Sequence, residues 1–131
     1  MTSNVDWRWK NFSIDELKCK HCGAFMTVPE FMDKLQARRT EYGKSMKITS
    51  GYRCSAHNAA VSSTGLTGPH TTGQAVDIAC SGADAYKIVS IAIKHGFTGI
   101  GVSQKGPHGS RFIHLDTLTA PNHPRPNVWT Y

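Results

Sequence analysis

The chain has 131 residues, 39% hydrophobic and 18% charged, with a formal net charge of +6. That length sets the expectation of one domain over residues 1–131, and the composition excludes an intrinsically disordered chain. No apolar run approaches the ~18 residues of a membrane span, so none is expected.

In chain order, residues 1–12 read as an N-terminal extension. Their start, MTSNVDWRWKNF, lacks the apolar segment of a secretory signal. The expectation is a protein made in the cytoplasm that reaches any other place of action by another route. Pro29 to Gly43 reads as a helix, with proline suited to its first turn, glycine to its stop, and Phe31, Leu35 and Tyr42 near one face. Met46 to Thr49 reads as a short strand and Ser55 to Val61 as a helical turn or two. Val61 to Pro69, rich in Ser, Thr and Gly, reads as loop. Gln74 to Ala79 alternates like a strand. Ala83 to His95 reads as a helix with Tyr86, Val89 and Ile93 on one stripe. Phe97 to Val102 and Arg111 to Asp116 read as strands joined by a turn-rich loop, and the proline-rich tail 120–131 as irregular. Helices and strands that do not strictly alternate predict an α+β fold with a central, mainly antiparallel sheet and flanking helices.

The strand period of two separates the polar residues from the core. Val76 and Ile78 share one face of the first polar strand, and Asp77 shares the other with two alanines. Ile113 and Leu115 share one face of the second, and Phe112, His114 and Asp116 the other. His70 enters from the loop ahead of Asp77, among small residues that let a ligand approach. Two imidazoles and a carboxylate form a three-donor set suited to a catalytic zinc, which keeps a fourth place for water. Taken on spacing alone, surface or hydrogen-bonded histidines account for the same pattern.

Four cysteines, Cys19, Cys22, Cys54 and Cys80, leave three readings open. They are buried thiols, or one or two disulfides formed in an oxidising space, or a structural metal site built on the C-x-x-C of Cys19 and Cys22. The aromatic residues near the ends, Trp7 and Trp9 around Arg8, then Trp129 and Tyr131, either stack on sugars or bases or staple the termini to the domain. The basic excess is scattered, densest at Arg38-Arg39 and from Trp7 to Lys10, and favours an anionic polymer without choosing among wall, nucleic acid and membrane surface.

Three stretches occur in a telling order: ITSGYRCSAHNAAV (Ile48 to Val61), GPHTTGQAVDI (Gly68 to Ile78) and RFIHLDT (Arg111 to Thr117). Together they resemble the zinc D-alanyl-D-alanine carboxypeptidase family, especially its short phage and bacterial members, over about Phe12 to Tyr131. The resemblance implies an α+β peptidase fold shared with the hedgehog signalling domain. It implies one catalytic zinc on His70, Asp77 and His114, and hydrolysis of peptide bonds in bacterial peptidoglycan by metal-activated water. Arg53 matches the arginine that binds substrate or steadies the oxyanion, and Asn58 a structural polar position nearby. RPNVWTY resembles a tail packed near the cleft, which makes Trp129 part of its wall.

Two departures stand out. Gly68 occupies the usual serine position, and Arg111 stands three residues before His114, where relatives carry a base. That leaves His108 and Asp116 as candidates for the proton-accepting role. Asp116 lies two residues along the strand from His114, roughly 7 Å away. The absence of a signal and the small size fit a phage endolysin, a monomer made in the host cytoplasm and acting on the cell wall. The alternative is an inactive zinc-bearing wall-binding module of the same fold. A nucleic-acid binder is disfavoured, because no basic-aromatic stripe or known motif is present.

Overall fold

The computed structural model describes residues 9–26, 28–62 and 68–131. Ser13 opens the first helix, α1 (Ile14–Leu17), through a reciprocal capping box: Glu16 N–H donates to Ser13 Oγ, and Ser13 N–H donates to Glu16 Oε1 at 3.0 Å. Pro29 starts α2 (Pro29–Tyr42), and Gly43, with φ of 77°, ends it in the left-handed conformation that favours glycine. Phe31, Met32 and Leu35 are buried on its inner face. Two further helices follow, α3 (Ser55–Val61) and α4 (Gly82–Lys94).

Five strands form one sheet: β1 (Lys47–Ser50), β2 (Ala75–Ala79), β3 (Gly99–Ser103), β4 (Phe112–Asp116) and β5 (Asn127–Thr130), in the order β1-β2-β4-β3-β5. β1, β2, β4 and β3 are antiparallel neighbours, while β5 runs parallel to β3. The α+β fold with a mainly antiparallel sheet is therefore as the sequence predicted.

One face of the sheet carries the apolar core. Ile48, Val76, Ile78, Ile100, Ile113 and Leu115 cluster there with Phe31, Met32 and Leu35 of α2 and Ala85, Ile88 and Ala92 of α4. Fully burying one Leu or Ile side chain contributes about 1.5–3 kcal/mol, so this layer is the main support of the sheet. The opposite face carries Asp77, His114 and Asp116 among alanine, glycine and the aromatic residues Phe112 and Trp129.

Three expectations are corrected. The stripe Tyr86, Val89 and Ile93 is not the face α4 turns to the core, since Tyr86 and Ile93 are exposed. The buried face is Ala85, Ile88 and Ala92, where small side chains let the helix sit close to its neighbours. Residues 127–130 of the tail are strand, not irregular chain: past Pro126 the backbone regains its N–H groups, and it pairs with the open edge of β3. Trp9 and Phe12, placed by sequence in an extension, are buried in the core, and Trp9 Nε1–H donates to Asp33 Oδ1 at 2.9 Å. Trp7 and Arg8 lie outside the described residues, as do 63–67 of the loop.

Candidate metal centre

The polar face of the sheet is built in a ladder. Asp77 of β2 lies opposite His114 of β4, His114 opposite Gly101 of β3, and Gly101 opposite Trp129 of β5. Glycine at 101 is required by what crosses it: a Cβ there would come within 2.7 Å of Trp129 Nε1 and 2.8 Å of the Tyr131 hydroxyl. The aromatic residues of the tail thus lie down over the sheet beside His114, with the Trp129 and His114 rings 5.1 Å apart.

His70 is delivered by a 3-10 turn (Pro69–Thr72). Proline opens the turn, and the Thr71 and Thr72 hydroxyls donate back to the carbonyls of Gly68 and Pro69, both at 2.6 Å. These bonds order the turn with no side-chain hydroxyl at position 68. His70 Nδ1–H donates to the Gly51 carbonyl at 2.7 Å, which turns Nε2 toward Asp77 Oδ1 at 3.2 Å. His114 Nδ1 is 3.1 Å from the same Asp77 oxygen, and its Nε2–H donates to Asp116 Oδ2 at 2.7 Å. All three side chains are buried, and one donor atom from each lies within 4.8 Å of the others. Each imidazole therefore has one nitrogen fixed by an acceptor and the other aimed at a common point, the arrangement that orients histidines toward a cation.

The electrostatics fit the same picture. Burial opposes charge on Asp77, but hydrogen bonds with His114 and His70 hold its carboxyl far below the usual range. Burial likewise disfavours the charged form of His114, yet Asp116 and Asp77 together raise its pKa. Asp116 is held down to about 2: burial works against the carboxylate, and His114 and Arg125 outweigh it. Asp77 thus stays ionised between the two imidazoles, the form in which a carboxylate binds a cation.

Asp116 has little left to offer a ligand. Arg125 grips it with two bonds, Nε to Oδ1 at 2.9 Å and Nη2 to Oδ2 at 2.7 Å, while the Leu118 N–H adds a third at 3.3 Å. Arg53, just ahead of α3, is set by Nε to Ser50 Oγ and Nη1 to Asn58 Oδ1, each 3.1 Å, with Nη2 3.6 Å from Asp77 Oδ2. Asn58 is fully buried beneath it. These groups open on a cavity of about 630 Å³ lined by Arg53, His70, Asp77 and His114 on one side and by His123, Arg125, Trp129 and Tyr131 on the other.

The structure thus brings His70, Asp77, His114, Asp116, Arg53 and Trp129 to one place. It does not bring His108, which is exposed on the 3-10 turn His108–Ser110 and lines no part of this cavity. Sequence reading missed His123 and Arg125. Both lie in the proline-rich stretch, whose only signal was the aromatic tail that follows. The four cysteines also divide. Cys19, Cys22 and Cys54 gather near α3, whereas Cys80 stands apart with its thiol toward the Ile78 carbonyl and is pushed up to about 11 by burial. A metal site using all four is excluded by that separation.

No helix among the described residues is long and apolar enough to cross a membrane. The family model described as Peptidase M15 matches residues 10–116, a span that holds Arg53, His70, Asp77, His114 and Asp116. No curated protein matches the chain.

Proposed function

The chain belongs to the Peptidase M15 family, and on that premise we propose that it is a zinc-dependent peptidase cutting peptide bonds in the stem peptides or cross-links of bacterial peptidoglycan. The observation that carries this reading is the convergence of His70 Nε2, an Asp77 carboxylate oxygen and His114 Nδ1, each supported from behind, at the floor of an open cavity. Two imidazoles and one carboxylate are a fitting donor set for zinc with a place left for water. Bound zinc supplies Lewis acidity, polarising an amide carbonyl and acidifying water.

The remaining roles fall to the protein's own groups. Asp116 accepts the His114 Nε2–H and so fixes which nitrogen faces the cavity; it is a positioning residue rather than the base. Arg53, with Nε and Nη1 tied to Ser50 and Asn58 and Nη2 3.6 Å from Asp77 Oδ2, lines the cavity, where it steadies negative charge or a substrate carboxylate. With His108 outside the cavity and Asp116 engaged by Arg125, His123 takes the proton-moving role; among the lining residues outside the zinc set it is the imidazole. Trp129 walls the substrate channel, with Arg125 stacked 4.9 Å over its ring. A cavity with two guanidinium groups and aromatic walls suits short peptides rich in carboxylates, and a basic chain suits an anionic wall. Lysis of the wall from a host cytoplasm, as by a phage endolysin, is the setting we infer from the resemblance to short phage members.

The test is digestion of purified peptidoglycan by chelator-treated protein restored with zinc, read by mass spectrometry of the muropeptides. New peptide termini that depend on zinc and vanish in His70→Ala are expected, and they name the bond. Wall binding with no new termini would replace this reading by that of a binding module. A His123→Gln protein of unchanged turnover would move the proton to another group.

A further inference from the structure

A second cluster of metal-binding side chains lies on the outer side of the turn that carries Arg53. Cys19 and Cys22 close a C-x-x-C-G knuckle: Gly23 N–H donates to the Cys19 carbonyl and Cys19 N–H to the Ala24 carbonyl, both at 2.8 Å, with Gly23 at φ 76°. Cys54, the residue before α3, joins them, and its backbone N–H donates to Cys19 Sγ at 3.4 Å. The sulfurs of Cys19, Cys22 and Cys54 all lie within 4.8 Å of one another. Sulfurs around a tetrahedral zinc, at about 2.3 Å from the metal, stand roughly 3.8 Å apart, so little movement is needed. Two imidazoles border the group. His21 Nδ1 is 3.7 Å from Cys54 Sγ, and the His57 ring stacks on His21 at 5.6 Å. Cys54 and His57 stand one turn apart at the start of α3, so the sequence offers C-x-x-C and C-x-x-H pairs to one point.

We propose that Cys19, Cys22 and Cys54 hold a structural zinc ion, with the fourth donor supplied by the stacked His21–His57 pair. Three converging sulfurs argue against a disulfide, which joins two and leaves the third odd. Thiolates with an imidazole select zinc over magnesium, calcium or manganese, which take oxygen donors. Binding displaces the thiol protons to solvent and makes no other covalent change. The ion would pin the segment before α2 to the turn that builds the catalytic face. That junction is already close: Tyr52 N–H donates to the Leu17 carbonyl at 2.8 Å, and a Cβ on Gly51 would collide with the Leu17 backbone. From this turn the Gly51 carbonyl orients His70, and Arg53 directly precedes Cys54.

The test uses the full chain. Reconstitution with cobalt(II) is expected to give thiolate-to-metal charge-transfer absorption in the near ultraviolet in the parent protein, in His70→Ala and in Cys80→Ser. It should be absent in Cys22→Ser and Cys54→Ser. Elemental analysis of the zinc-loaded forms should show about one equivalent less in each of these two cysteine variants than in the parent. Cys22 is exposed, so its serine variant keeps the test valid if Cys54→Ser does not fold. Exchange of both His21 and His57 for alanine should weaken cobalt binding at this site at least roughly tenfold; unchanged affinity removes the imidazole from the assignment. Full zinc content in Cys22→Ser, or an unreduced parent chain lighter by two hydrogens, overturns the proposal. The thiolate absorption is read without activity and without the histidine–aspartate set, so its failure would leave the peptidase reading standing.

Discussion

Asp116 shows how one side chain couples stability to the site. Its carboxyl is completely buried, and His114 and Arg125 overcome the cost of that burial, bringing its pKa to about 2. A free aspartate titrates near about 3.9, so the depressed value marks stability fully present above about pH 4 and lost as pH falls through about 2. The shift corresponds to roughly 2–3 kcal/mol. Urea unfolding of the metal-free chain is expected to show this loss on the acid side, with a shallower acid limb in Asp116→Asn. Arg38 is the opposite case. It is fully buried, its Nε and Nη2 find no hydrogen-bond partner among the described residues, Nη1 is taken by Met46 Sδ, and the Tyr42 ring lies 5.7 Å away. Burial lowers its pKa to about 10, so it stays cationic at neutral pH. Arg38→Met fills similar space without a charge to desolvate and is expected to raise the unfolding free energy by about 1–3 kcal/mol; a loss of that size would mean the guanidinium is doing something the contacts do not reveal.

At the scale of elements, β3 matters for what it lacks. Gly99 lies opposite Asp116, and any Cβ there would overlap the Asp116 carboxylate. Gly99→Ala is expected to cost about 1–3 kcal/mol by displacing Asp116 from Arg125 and His114, while Gly109→Ala, where a methyl meets open space, should leave the thermal midpoint unchanged. The strands bearing Asp77 and His114 were legible because alternation over five residues divides an apolar face from a polar one. Helix α2 was legible from Pro29, Gly43 and its apolar spacing. The inward face of α4 was not: two alanines and Ile88 form a weaker pattern than Tyr86, Val89 and Ile93, and only packing on the sheet decides between them. The capping box of α1, Ser13-Ile14-Asp15-Glu16, is a short local signal that the sequence reading passed over. β5 depends on pairing with a strand more than twenty residues away, which no local pattern in a three-proline stretch announces.

At the scale of the molecule, the three proposed zinc donors were legible as a set because a motif order spanning most of the chain joined them. His108 lies outside the cavity and was not legible, because sequence separation does not say where a loop of this length folds. The charge of +6 predicts a behaviour of the whole particle. Retention on purified, negatively charged cell walls should fall as sodium chloride rises from low to physiological strength, with the Debye length near about 8 Å at 0.15 M. Co-sedimentation at a series of salt concentrations measures it, and salt-independent retention would show that contacts in the cavity, not diffuse charge, hold the protein to the wall.

The fifth strand has a consequence for the cavity. The match to the family model ends at Asp116, yet His123, Arg125, Trp129 and Tyr131, which enclose the far side of the cavity, come after it. The cavity is therefore walled by two stretches of chain, one inside the matched span and one after it. Exchange of the residues after Asp116 is expected to reshape the far wall of the cavity while leaving His70, Asp77 and His114 on the turn and strands that carry them.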